Sequence, residues 1–263
     1  MAEKVIDVAR QITSEEILEK VEAIDIGNPN DAGGSNNTGS VMAKLNAILT
    51  WIKGGTETFT ENGTFTVPEG ITTVYVTACG GGQGGQNYDG GNAGELIYRK
   101  DFTVTPGKVL AITIGAGGKA GADGGATVIG DLITLSGGNS TTVYNNPQTG
   151  EPMAGGEQGY STSAREATSG DGADGINSEG GKGSTAKSGS SSSIYIGGGG
   201  SGCYMGKGGD GASTDGGDAT PATGYGCGGG GAYYYNKSSA VRYAASAGSP
   251  GIVIFEWGNV PVE

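Results

Sequence analysis

GCGGGG at residues 226–231, with GGGG at 197–200, GKGGDG at 206–211 and GGKG at 180–183, decides how this chain can fold. Such runs supply no side chains for a core, and glycine loses more conformational freedom on ordering than any other residue. A chain built this way either stays disordered or satisfies its backbone polar groups by packing main chain on main chain. Fifty-seven of the 263 residues are glycine, most of them after residue 79. Glycine at every third position would mean collagen. Gly118, Gly121 and Gly124 keep that register, but Gly125 follows at once and breaks it. What remains is an extended helix of three residues per turn, polyglycine-II-like, bonded laterally to its neighbours. The competing reading is a flexible Gly/Ser linker, which suits Ser184 to Ser193 best.

Around the runs lie segments with the two-residue period of strands. Thr58–Thr60, the turn Glu61-Asn62-Gly63 and Thr64–Val67 read as a hairpin. Strands follow at Thr72–Thr77, Glu95–Val104 and Val109–Ile114, and a second hairpin turns through Gly130-Asp131. Ile252–Trp257 is too apolar to be left exposed and is expected to close the sheet begun near residue 56. The expected fold is mainly β: an antiparallel β-sandwich over 56–136 and 249–258, with a glycine-rich, tyrosine-bearing insertion over 137–248 of little apolar periodicity.

The first 55 residues read differently. Thr13-Ser14-Glu15-Glu16 forms a capping box, and Ile17, Leu18, Val21 and Ile24 follow at helical spacing. This predicts a helix within 1–27, stopped by Gly27-Asn28-Pro29. The segment 28–55 holds a polar linker and a second helix after Ser40. In it Val41, Leu45, Ile48 and Ile52 recur at coiled-coil spacing. Two heptads are too short to stand alone. They pack on their own domain or form a trimer interface at the head of a fibre.

Composition excludes several activities. A net charge of −12 disfavours nucleic acid, which needs clustered Lys and Arg. No segment approaches the length of a membrane span, and the start lacks a secretory signal, so synthesis and assembly in the cytoplasm are expected. Histidine is absent, which removes the commonest general base and argues against zinc at Cys79, Cys203 and Cys227. Those cysteines are expected to be buried free thiols. Strand Val109–Ile114 followed by GAGGKA at 115–120 matches a relaxed dinucleotide fingerprint, but helix-breaking glycines come next where a helix is required. No phosphate-binding P-loop, calcium repeat array or nucleophilic triad is present. No enzyme activity and no cofactor or metal is expected.

The tyrosines carry more. Nine of twelve lie in the insertion, and tyrosine with Ser, Gly and Asn dominates adaptable binding loops. Tyr144, Tyr160, Tyr204, Tyr225, Tyr233, Tyr234 and Tyr235 are therefore candidates for a binding face. The alternative is that they cover bare glycine backbone. Sugars and surface proteins both suit such a face.

FTENGTFTVPEGITTVYVTACGGG at 59–82, ELIYRKDFTVTPGKVLAITIGAGG at 95–118 and SAGSPGIVIFEW at 246–257 resemble the glycine-rich domain of bacteriophage tail fibres and adhesins. TSEEILEKVEAID at 13–25 and TGSVMAKLNAIL at 38–49 look like the N-terminal pieces of such virion proteins. The resemblance implies a virion component that binds a bacterial surface glycan or protein. It also implies a homotrimer attached to other virion proteins through its N-terminus. In related adhesins glycine runs pack as polyglycine-II helices, which here would be Gly197 to Gly200 and Gly226 to Gly231, and the loops between them meet the receptor, which would make the loops bearing Tyr144, Tyr160, Tyr204 and Tyr233 to Tyr235 the receptor-binding candidates. Rival readings are a structural head-fibre, decoration or baseplate component without a host ligand and, more remotely, a nucleotide-binding enzyme.

Overall fold

The computed structural model describes residues 54–162, 165–187, 193–212, 217–236 and 241–258, together with Ile52. The helix expected within 1–27 and the interface positions Val41, Leu45 and Ile48 lie outside these residues. Every described element is a β-strand. In chain order the first seven are β1 (Gly55–Phe59), β2 (Gly63–Thr66), β3 (Thr73–Cys79), β4 (Leu96–Thr103), β5 (Val109–Thr113), β6 (Thr127–Ile129) and β7 (Ile133–Leu135). Then come β8 (Gly159–Thr162), β9 (Glu166–Thr168), β10 (Ile176–Glu179), β11 (Thr185–Lys187) and β12 (Ser193–Ile196). The last four are β13 (Tyr204–Lys207), β14 (Tyr233–Asn236), β15 (Val241–Tyr243) and β16 (Ile252–Trp257). All strand pairings are antiparallel except that of β10 with β13.

Two four-stranded sheets, ordered β1-β16-β3-β4 and β2-β5-β6-β7, share one hydrophobic core. The two-residue period explains which side chains enter it. Val74, Val76 and Ala78 of β3, Leu110 and Ile112 of β5, and Val253 and Phe255 of β16 are buried, while Val109 is exposed. Phe65 of β2 lies flat on Phe255, centroid to centroid 3.9 Å and 7° apart, and so joins the two sheets. Burying each such large side chain contributes about 1.5–3 kcal/mol. The final strand sits between β1 and β3, closing the sheet that β1 begins.

The expected hairpin across Glu61-Asn62-Gly63 is corrected. β1 pairs with β16, whereas β2 pairs with β5, so the turn carries the chain from one sheet to the other. The Asn62 side-chain carbonyl accepts the Ile114 N–H at 2.8 Å, which ties the turn to the end of β5 rather than closing a two-strand ribbon. Among the described residues the insertion over 137–248 holds eight short strands, β8 to β15, and one of them, Thr185–Lys187, falls in the stretch that best suited a linker.

Between the strands the glycine runs bond in a three-residue rotation. The N–H groups of Gly80 and Gln83 donate to Glu95 and Asn92. Those of Gly81 and Gly84 donate to Gly125 and Ala122, and those of Gly82 and Gly85 to Ser249 and Ser246. Six consecutive donors thus serve three neighbouring segments in turn. The run 197–202 repeats the scheme: 197 and 200 bond to 212 and 209, 198 and 201 to 88 and 91, 199 and 202 to 170 and 173. A rotation of one neighbour per residue is what three residues per turn produces.

Bare α-carbons make this packing feasible. A β-carbon on Gly81, Gly82 or Gly85 would lie 2.0–2.1 Å from a carbonyl oxygen of an adjacent segment. The α-hydrogens point instead at those oxygens, as in weak C–H···O contacts. In GAGGKA, Gly117 and Gly118 belong to the same lattice: Gly118 N–H bonds to Gly82, and Gly248 N–H bonds back to Gly118. No helix follows them.

Where the run 226–231 passes, two serine hydroxyls replace carbonyls. Ser249 Oγ accepts the Cys227 N–H at 2.8 Å, and Ser246 Oγ accepts the Gly230 N–H at 2.9 Å. Their three-residue spacing keeps the rotation in phase. Core strands run directly into the lattice, β3 into Gly80 and β16 out of Gly251, while β12 and β14 meet it from the other side. Six residues at about 3.1 Å each make the layer about 19 Å deep.

Candidate binding surface

On the far side of the lattice β15, β14, β12 and β8 form a third four-stranded sheet. Register places Tyr160 opposite Tyr195, Tyr195 opposite Tyr234, and Tyr234 opposite Arg242. Directly opposed residues share a face, so these four side chains form a row across the sheet. The neighbouring positions face the other way: Ile194, Ile196 and Tyr233 are buried in a small core with Tyr243 against it. Alternation along SIYI at 193–196 and between Tyr233 and Tyr234 therefore separates a core from a surface.

The rings touch in sequence. Tyr195 lies 4.7 Å from Tyr160 and 6.3 Å from Tyr234, and the Arg242 guanidinium stands 5.0 Å from the Tyr234 centroid. Tyr88 adds a further ring, stacked on Tyr195 at 4.7 Å and 16°. It is held by a tight turn in which Gln86 and Asp89 exchange backbone hydrogen bonds of 3.0 and 2.8 Å, with Asn87 at φ 47°. Lattice donors fix that turn further: Gly198 N–H bonds to Tyr88 and Ala232 N–H to Asn87. Tyr160 is 54 % exposed and the other three rings are half-buried.

Beside Tyr160 opens a groove of about 690 Å³ lined by Gln83, Gln86, Asp89, Asn92, Ser140, Val143, Glu157 and Gln158. Its floor is locked. Asn92 donates to Asn139 O at 2.8 Å and accepts the Gly155 N–H at 2.9 Å. Gln83 accepts the Asn92 N–H and donates to Asp123. Asp89 accepts the Gln158 N–H at 2.8 Å, which fixes the wall that leads into β8.

The other predicted tyrosines fall elsewhere. Tyr204 and Tyr225 exchange backbone hydrogen bonds of 3.0 and 2.9 Å and pack in a second buried cluster around Cys79, and Tyr144, next to the groove residue Val143, packs against the same cluster. Tyr233 is buried beneath the row. Tyr160 and Tyr234 are brought into one row, and Tyr235 is the next residue along β14. Tyr88, Tyr195, Arg242 and the groove amides were not singled out by sequence. The SIYI alternation was the available signal for Tyr195.

That second cluster contains all three cysteines, free and buried. Cys203 N–H donates to Cys227 Sγ at 3.2 Å, and Ser178 Oγ stands 3.4 Å from the same sulfur. The Cys203 thiol is pushed well above its ordinary value, first by its hydrogen bond with Cys79 and then by burial. Burial likewise raises Cys227. Burial thus favours the thiol form of Cys203 and Cys227, and all three cysteines pack within the cluster.

The chain belongs to the glycine-rich domain family, whose profile matches residues 56–258. No curated protein matches the chain in sequence.

Proposed function

We propose that this member of the glycine-rich domain family is a receptor-binding protein of a bacteriophage fibre or tail tip. Its receptor sits on the bacterial surface and meets the Tyr160–Tyr195–Tyr234 face and the groove beside it. One observation carries this reading: an aromatic row on a rigid sheet borders a polar groove whose walls are already hydrogen-bonded. Tyrosine offers large contact area at low ordering cost, and pre-bonded walls spare the ligand the entropy of assembling them. The three-residue rotation of the lattice fits packed polyglycine-II helices, and the two sheets joined by Phe65 and Phe255 fit a β-sandwich at its base.

Trimerisation through Val41, Leu45, Ile48 and Ile52, with attachment through residues 1–27, belongs to the same proposal and rests on sequence spacing. Three weak sites on one stalk would raise avidity through effective concentration. The test is attachment of the labelled full-length chain to a panel of bacterial cells, compared with Tyr160→Ala and Tyr234→Ala. Attachment lost in both variants supports the reading. A chain that attaches to no cell, or whose attachment ignores both changes, leaves a structural virion component in its place. Light scattering that gives a monomer would remove the trimer.

A further inference from the structure

We infer that the groove beside Tyr160 is a subsite for an uncharged glycan, with the Tyr160 ring as the platform for one sugar ring. The inference rests on the receptor-binding reading and names its ligand class. Five observations support it.

The volume, about 690 Å³, falls in the range of small-ligand clefts. The lining mixes amides, carboxylates and a hydroxyl: Gln86, Asp89, Ser140, Glu157 and Gln158. Planar amide and carboxylate groups can each engage two adjacent sugar hydroxyls, one as donor and acceptor, the other as double acceptor. Two of the four large exposed apolar side chains among the described residues, Val143 and Tyr160, stand on this one groove. A sugar has one C–H-rich face that an aromatic ring covers while its hydroxyl edge is hydrogen-bonded, so an apolar rim on a polar cleft matches it.

Charge sets the class. The lining includes Asp89 and Glu157 and no lysine or arginine, and the whole chain carries −12. An acidic polysaccharide or phosphate-bearing ligand would meet two carboxylates without a counter-charge. The cation of the row, Arg242, sits over Tyr234, with β14 and β12 between its strand and β8. Rigidity gives specificity: Gln83 and Asn92 are occupied by lattice hydrogen bonds and shape the floor, which leaves the rim groups to read hydroxyl positions.

The experiment uses the full-length chain and neutral gluco-, galacto- and manno-oligosaccharides of three to six units, with oligogalacturonate as the acidic comparison. Binding is read by calorimetry and by line broadening of the tyrosine ring resonances. At least one neutral oligosaccharide is expected to bind at about millimolar strength or better. Tyr160→Ala and Gln158→Ala should weaken it about tenfold at an unchanged melting temperature, while Tyr225→Ala, in the cluster around Cys79 and outside the groove, leaves it intact. No binding at about 10 mM, indifference to both variants, or preference for the acidic oligomer overturns the inference.

Cell attachment separates this from the broader reading. Attachment that depends on Tyr160 while every neutral oligosaccharide is ignored sinks the glycan and keeps the receptor. Oligosaccharide binding without cell attachment does the reverse.

Discussion

A β-carbon on Gly200 would stand 1.9 Å from the carbonyl oxygen of Gly228, in the middle of the lattice. Neither backbone can retreat, because Gly200 N–H bonds to Gly209 and Gly228 N–H bonds to Ser201. Gly200→Ala is therefore expected to cost about 3 kcal/mol or more, the upper range for overpacked sites. Gly107 offers the contrast. Its φ of +76° strains any alanine, but nothing lies within 4 Å of an added β-carbon. Gly107→Ala should cost only about 1–2 kcal/mol. Thermal melts of the two variants check the difference; equal losses would mean that close backbone packing is not what these glycines serve.

The lattice also predicts a pattern of amide exchange. The N–H groups of residues 81–85 and 198–202 are bonded although all lie outside the strands. They should exchange as slowly as those of β3 and β16, through opening of the whole unit. Exchange at the rate of an unfolded chain would return these runs to the status of linkers.

Ser249 is 3 % exposed, and its hydroxyl takes the Cys227 N–H. Ser249→Ala would leave that donor buried without this partner, at a cost of about 1–3 kcal/mol. Ser246→Ala should behave alike, since its hydroxyl accepts from Gly230 and donates to Thr220. Denaturant titration measures both. A neutral result would show that water or a shifted carbonyl substitutes for the hydroxyl.

The thiols give a pH prediction. Cys203 and Cys227 have folded values above the ordinary 9.0, so the unfolded chain releases these protons first. Stability is then complete below about pH 9 and falls as pH rises beyond it. Native chain should resist a thiol reagent near neutral pH, and all three cysteines should react once it is denatured. Rapid modification of the folded chain, or stability that rises through this window, would contradict the burial.

The β-core was legible in the sequence because its strands alternate apolar and polar residues over four or more positions. Val74, Val76 and Phe255 announce themselves in this way. Pairing was less so. Residues 58–67 carry a strong local turn, but the Phe65 ring is drawn to Phe255 on the opposing sheet, and that tertiary contact overrides the local hairpin. In the insertion, strands of three or four residues such as Glu166–Thr168 carry too few side chains to show a period. The lattice leaves no apolar signal at all, since its contacts are between backbone groups. The tyrosines were visible as a class but not individually. Tyr233 and Tyr234 differ in burial only because successive residues of a strand face opposite ways, and the phase of β14 comes from its pairing with β12.

Main-chain bonding in three directions asks almost nothing of sequence beyond the absence of a β-carbon. Segments that emerge from it, such as the turn carrying Tyr88, can change their letters without disturbing the frame that aims them. Such a frame lets the surface it carries diversify while its mechanical support stays constant.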